Sequence, residues 1–258
     1  MCRKTGPEDV VFKVLYCGVD HSDLHQIRNE AQYTTYPLVP GHEVVGKVIE
    51  VGSDVKKFVV RDIVGVVCMV GSCGECMRCK TNKEQYCKNM VFTYNTIYKD
   101  GSFTQGGFSS AMIVHQKKRE EALTDIGADC FLVSSNSAEM DKYKSSLDYI
   151  LDTVPVNHKI QDYLSLLDVE GKILLVGAVP EPLQFSASDL ILEGRSISGS
   201  FIGSIQETQE ILDFWVEKGL KTKIEVVKMD YVNKAFERME KNDVRYRFVL
   251  DVAGSNLE

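Results

Sequence analysis

GSCGECMRCKTNKEQYC, residues 71 to 87, holds four of the chain's eight cysteines and sets the terms on which the rest of the sequence is read. Cys73, Cys76, Cys79 and Cys87 are separated by two, two and seven residues. Two-residue gaps let successive thiolates turn toward one ion, and the longer return supplies the fourth corner of a tetrahedron. Four thiolates leave no open position for water, so a structural zinc here would hold a lobe of about residues 71–90 together without doing chemistry. An iron–sulfur cluster is the rival, and four unligated buried thiols the plain alternative. The bacterial ferredoxin run has three residues before a last cysteine followed by proline, whereas seven precede Cys87 here and Lys88 follows it.

Outward from this cluster, residues 10 to 115 are short β-like runs broken by Gly, Pro and Asp: VVFKVLYCGV (10–19), EVVGKVIEVG (43–52), DIVGVVCMV (62–70) and FSSAMIV (108–114). They predict a small irregular β-barrel. After Lys117 helices alternate with buried strands. KKREEALTDIGAD (117–129), SAEMDKYKS (137–145) and HKIQDYLSLL (158–167) read as helices, and CFLVS (130–134), LDYILDTV (147–154), GKILLVGA (171–178) and ISGSFIG (197–203) as strands. Such alternation implies βαβ units and a parallel sheet. A helix (205–220), a strand (224–229), a helix (231–242) and a strand (245–252) close the chain.

The chain has 258 residues, is 44% hydrophobic and carries a net charge of −7, a balance that argues against a nucleic-acid surface. No apolar run approaches the ~20 residues of a membrane span, and MCRKTGPEDV has no hydrophobic core for a secretory signal. The expectation is a cytoplasmic protein whose cysteines are metal ligands or buried thiols.

With the cysteine lobe in place, YCGVDHSDLH (16–25), YPLVPGHEVVGKVIEVG (36–52), TQGGFSSAMIV (104–114), SLDYILDTVPV (146–156), ISGSFIGS (197–204) and the segment from 224 to 252 resemble the plant cinnamyl alcohol dehydrogenases, within the zinc-containing medium-chain alcohol dehydrogenases. The resemblance implies an α/β protein: a GroES-like β-barrel catalytic domain (1–116 and 204–258) with the structural-zinc lobe, plus an incomplete Rossmann-type sheet (117–203). It also implies NADP(H)-linked interconversion of cinnamaldehydes and cinnamyl alcohols in lignin monomer synthesis, an aryl-propenal as substrate, a catalytic zinc as Lewis acid, and pairing as a homodimer. His42 and Glu43 match the family's zinc-ligating positions, Ser22 and His25 its proton relay, and Phe92 the place of a pocket tryptophan. Taken alone, His42 and Glu43 are a surface pair, and Ser22 and His25 ordinary helix-start residues.

Three departures touch the chemistry. Asp20 stands where the family has its first zinc-ligating cysteine. After Lys117 the family's other ligating cysteine, the glycine-rich loop and two strands have no counterpart, and none of the nineteen glycines lies two positions from another, so no Gly-x-Gly exists. Without that bend a pyrophosphate has no backbone cradle, and only Lys118 matches a group that would hold the 2′-phosphate of NADP. The family's N-terminal strands ahead of RKTGPEDV are also without a match. The expectation is a structural zinc, an impaired or absent second zinc and NADP site, a strand at 130–134 separated from that at 147–154 by a gap two strands wide, and activity lost or very low. The alternative is a non-catalytic truncated splice form or pseudogene product that forms a heterodimer with intact paralogues.

Overall fold

The computed structural model describes residues 4–115, 134, 136–179, 181–241, 243–244 and 246–255. The helix expected over 117–129, all but the last residue of the strand expected at 130–134, Lys118 and the gap beside that strand lie outside the described residues. Those described fall into two compact units, one of 4–115 with 203–255 and one of 134–202.

The first unit is built on β1 (Asp9–Gly18), followed by α1 (His21–Ile27), β2 (Glu43–Val51), β3 (Ile63–Val66), β4 (Met69–Gly71), α2 (Met77–Lys80), β5 (Val91–Phe92) and β6 (Ala111–His115). β1 carries three valines and pairs antiparallel with both β2 and β6, its register against β2 shifting after Val11 and after Val14. Gly46 on β2 admits the ring of Phe12: a Cβ there would sit 2.0 Å from Phe12 Cδ2. Phe12, Val14, Val44, Val48, Val64 and Val66 are buried together in one core. At roughly 1.5–3 kcal/mol for each large apolar side chain removed from water, this cluster supplies the unit's main stabilisation.

DIVGVVCMV is two strands, not one. The chain breaks at Val67 and Cys68, whose carbonyls accept hydrogen bonds from Thr93 Oγ1 and from Thr93 N–H respectively, and β4 then pairs with β5 in a separate sheet. Thr93 thus satisfies the backbone that a continuous strand would have paired.

The second unit contains α3 (Ser137–Lys142), β7 (Leu147–Asp152), α4 (Ile160–Leu164), β8 (Leu167–Leu175), α5 (Ser188–Ile191) and β9 (Ser196–Gly199). The three strands form a parallel sheet in the order β7-β8-β9. The helix expected to 167 stops at Leu164, and β8 starts four residues before GKILLVGA. Glu170 takes a positive φ of 61° beside Gly171, and the β7–β8 register shifts across this bend. Among the described residues, Ile160, Leu164, Leu167 and Ile173 form the unit's buried cluster, with Ile150, Leu190 and Ile197 packed around them. Tyr149 and Leu151 alternate with Ile150 along β7 and are 68% and 64% exposed. Parallel sheets are normally covered on both faces, so one face of this strand departs from the pattern.

The chain re-enters the first unit at Gly203 and forms α6 (Ile205–Glu217), β10 (Ile224–Lys228), α7 (Val232–Glu240) and β11 (Arg247–Asp251). β11 pairs with β1 and, in parallel, with β10. α7 places Ala235, Phe236 and Met239 at helical spacing, all buried against Phe248 and Leu250 in the same core. The sheet order is β10-β11-β1-β2-β3, with β6 on β1. This order carries Arg247, at the start of β11, to the end of β1, where Gly18 faces Val249 in register.

Candidate metal centres

The four-cysteine lobe is assembled from the segment before α2, from α2 itself and from a 3-10 turn (Glu84–Tyr86) that runs into Cys87. Cys73, Cys76, Cys79 and Cys87 Sγ atoms lie 3.5–3.9 Å apart where they touch: 3.8 Å for Cys73–Cys79, 3.6 Å for Cys76–Cys79, 3.9 Å for Cys76–Cys87 and 3.5 Å for Cys87–Cys73. A tetrahedron with metal–sulfur bonds of ~2.3 Å has sulfur–sulfur edges of ~3.8 Å, so the thiols are set for one zinc-sized ion. A disulfide would bring sulfurs to ~2.05 Å, and a multi-iron cluster would force them further apart. All four are free thiols. A backbone amide favours the ionised form of Cys73, whose Sγ accepts from Cys76 N–H at 3.4 Å, and Asn89 N–H donates to Cys87 Sγ at the same distance. The Cys76 amide, with help from Glu75 and Cys87, lowers the Cys73 thiol to about 6, whereas burial pushes Cys79 up to about 11. The residues fit a structural zinc.

The second constellation sits where β1, α1, β2 and β11 meet. Asp20 is the N-cap of α1: its Oδ1 accepts from Ser22 N–H at 2.9 Å and Ser22 Oγ at 2.6 Å, and Asp23 returns the favour by accepting from Asp20 N–H. The other oxygen, Oδ2, accepts from Arg247 Nη1 at 2.8 Å. Arg247 Nη1 also donates to Val19 O and lies 3.5 Å from Glu43 Oε1. Burial opposes ionisation of Asp20, but hydrogen bonds from Ser22 and Arg247 outweigh it and hold the carboxyl far below its ordinary range. Glu43 moves the other way, raised chiefly by burial despite Arg247. His42 Nδ1 is 3.3 Å from Oδ1 of Asp23, which is fully buried and also accepts from Gly41 N–H. Burial works against the imidazolium, yet Asp23 more than offsets it and raises the His42 value. Tyr94 stacks obliquely on His42, its ring centre 5.8 Å away, and burial keeps its hydroxyl protonated well above the ordinary range.

Among the described residues, the four cysteines are the one set of three or more His, Cys, Asp and Glu ligand atoms all lying within 4.8 Å of one another. Asp20, His42 and Glu43 share a neighbourhood but do not converge on a point, and a guanidinium stands between two of the three. A divalent cation would have to displace Arg247 from Asp20 and sit beside its charge, a double penalty. These residues do not fit a second zinc. Nor are Ser22 and His25 joined: Ser22 Oγ is spent on Asp20, and His25 Nδ1 on Glu30. Phe92, on β5, is 40% exposed. Arg247 was invisible to motif reading, because nothing local in RYRFVLDV (245–252) signals a partner more than two hundred residues earlier.

Residues 6–122 match the alcohol dehydrogenase GroES-like domain, and residues 106–217 match the zinc-binding dehydrogenase domain. Cinnamyl alcohol dehydrogenase 5 of Arabidopsis thaliana is 46% identical over 327 residues, taking in 99% of this chain and 92% of the relative. The chain belongs to the zinc-containing cinnamyl alcohol dehydrogenase family. Cinnamyl alcohol dehydrogenase 2 of Oryza sativa subsp. japonica is also 46% identical, over 99% of this chain and 90% of its own. Among solved structures, a cinnamyl alcohol dehydrogenase from Sorghum bicolor superposes with a TM-score of 0.94 at 37% identity, covering 100% of this chain and 94% of that one. One from Helicobacter pylori, in complex with NADP(H), gives 0.84 at 28% identity, covering 98% and 93%. The family membership confirms the GroES-like and Rossmann-type fold class. The alignment to the Arabidopsis relative is also longer than this chain: 327 positions against 258 residues leave at least 69 positions with no counterpart here.

No helix among the described residues is long and apolar enough to cross a membrane.

Proposed function

We propose that this chain keeps the scaffold and structural zinc of a cinnamyl alcohol dehydrogenase but turns over cinnamaldehydes with NADPH at a very low rate or not at all. The observation that carries this reading is the ion pair of Asp20 with Arg247: the carboxylate standing at the family's ligand position is already committed at both oxygens. In intact relatives the catalytic metal polarises the substrate carbonyl. Here His42, held by Asp23, and Glu43, drawn toward Arg247, are positioned as parts of an ion network that ties α1 to β11.

The cofactor side supports the same reading. NADP needs backbone amides at a tight glycine turn beside a helix N-terminus. The glycine just after β8, Gly177, is spent otherwise: a Cβ there would lie 2.4 Å from Val154 O, so its bareness admits the segment that follows β7. α5, which follows, is four residues long with no side-chain N-cap.

The test is reduction of cinnamaldehyde by the purified chain, followed through NADPH absorbance, beside a fluorescence titration of NADPH. The expected result is no turnover above background and no saturable binding at micromolar NADPH. Saturable binding with turnover comparable to an intact relative would overturn the proposal.

A further inference from the structure

Between the third and fourth cysteines, residues 82 to 84 reach the first turn of α6. Glu84 Oε1 accepts a hydrogen bond from Ile205 N–H at 3.1 Å, and Asn82 Nδ2 donates to Gln206 Oε1 at 2.6 Å. The first amides of a helix have no partner within it. α6 meets part of this need itself, since Ser204 Oγ accepts from Glu207 N–H and the Glu207 carboxylate accepts from Ser204 N–H. That capping box does not reach Ile205 N–H, and Glu84 supplies the missing acceptor with a negative charge at the positive end of the helix.

What holds Glu84 in place is the cysteine lobe. It opens the 3-10 turn that ends at Cys87, whose N–H bonds to Glu84 O at 2.9 Å, and Lys83 N–H is tied to Arg78 O at 2.8 Å beside Cys79. Apolar burial in the lobe is slight: α2 buries no residue, Met77 is 74% exposed, and the buried side chains are those of Gln85 and the ligand Cys87. A segment so poor in apolar burial takes its folding free energy from the metal.

We infer that metal in the four-cysteine site acts as a remote clamp on α6, its occupancy ordering residues 82–84 and, through Glu84 and Asn82, the first turn of that helix. The inference rests on the lobe holding zinc. It makes Glu84 a positioning residue: it touches no metal, yet it transmits the metal's presence to the point where the chain returns from the second unit to the first.

Hydrogen exchange by mass spectrometry on the full chain tests this in three states: zinc-loaded, chelator-stripped, and zinc-loaded Glu84→Ala. Metal content is measured on each. Stripping is expected to speed exchange at 205–207 by about tenfold, the scale of losing a hydrogen bond to a charged group. In Glu84→Ala, one zinc is retained and the same acceleration appears at 205, while amides of the β1–β2 ladder keep their protection. Glu84→Gln, which preserves an acceptor, is expected to stay near wild type. Wild-type exchange at 205–207 in zinc-loaded Glu84→Ala would overturn the clamp. A chain that binds no zinc as purified would instead refute the metal reading on which it stands. Unchanged exchange at 205–207 on stripping would overturn the clamp equally, as would loss of protection across the β1–β2 amides, since the metal would then hold the whole unit and not the first turn of α6.

Discussion

Replacing Asp20 with alanine removes two things at once, and their sizes follow from the geometry. The cap on α1, with Ser22 N–H at 2.9 Å, contributes about 1 kcal/mol. The Arg247 pair is short, but its side chains are 39% and 29% exposed, so solvent screening limits it to roughly 0.5–1 kcal/mol. Asp20→Ala is therefore expected to cost about 2 kcal/mol. Asp20→Asn retains a capping oxygen and loses only the charge, and should cost roughly half that. The assay is urea unfolding followed through Trp215, the one tryptophan of the chain, which lies on α6 in the same unit as Asp20. With a slope of about 2 kcal/mol per molar urea, Asp20→Ala should lower the midpoint by roughly 1 M. Zinc content should not change. A midpoint within experimental error of wild type, or a loss of bound zinc in the variant, would refute the assignment of Asp20 as a structural cap and counter-ion.

Other outcomes follow from the same geometry. Because the folded Asp20 carboxyl lies below its unfolded value, the stability it contributes is complete above the ordinary carboxylate range and is lost as pH falls through its lowered folded value; the gap between wild type and Asp20→Ala should shrink as the medium is acidified below about pH 4. Gly46→Ala should destabilise the first unit by at least about 1–3 kcal/mol, since its Cβ would overlap the Phe12 ring and lie 2.8 Å from Lys13 O; an unchanged melting temperature would contradict the packing described. Cys79→Ser should abolish zinc binding, measured by metal analysis, and retention of one tightly bound zinc would remove Cys79 from the ligand set. Hydrogen exchange should be faster across β7–β9 than across β1–β2, in keeping with the small buried cluster around Ile160 and Ile173 among the described residues of the second unit, and uniform strong protection of both would contradict this.

Much of this was legible in the sequence because the signals were local. The spacing of Cys73, Cys76, Cys79 and Cys87 expresses the geometry of one tetrahedral ion, and the thiol distances reproduce it. The β-like runs of β1 and β2, bounded by Gly, Pro and Asp, and the helical spacing of Ala235, Phe236 and Met239 likewise announce their elements. The failures were long-range or conformational. The break at Cys68 is made by Thr93, twenty-five residues away, and the early start of β8 depends on Glu170 adopting a positive φ that no propensity favours. Arg247 is the most instructive omission. Asp20 was readable as an altered ligand, but its commitment to Arg247 comes from the pairing of β11 with β1, which motif spacing does not encode.

The most direct test of the whole account is the number of zinc ions held by the purified full chain after removal of loosely bound metal. One per chain, lost when the cysteines are substituted, is the expected value; two per chain would mean that Arg247 yields its place beside Asp20, His42 and Glu43 to a second ion.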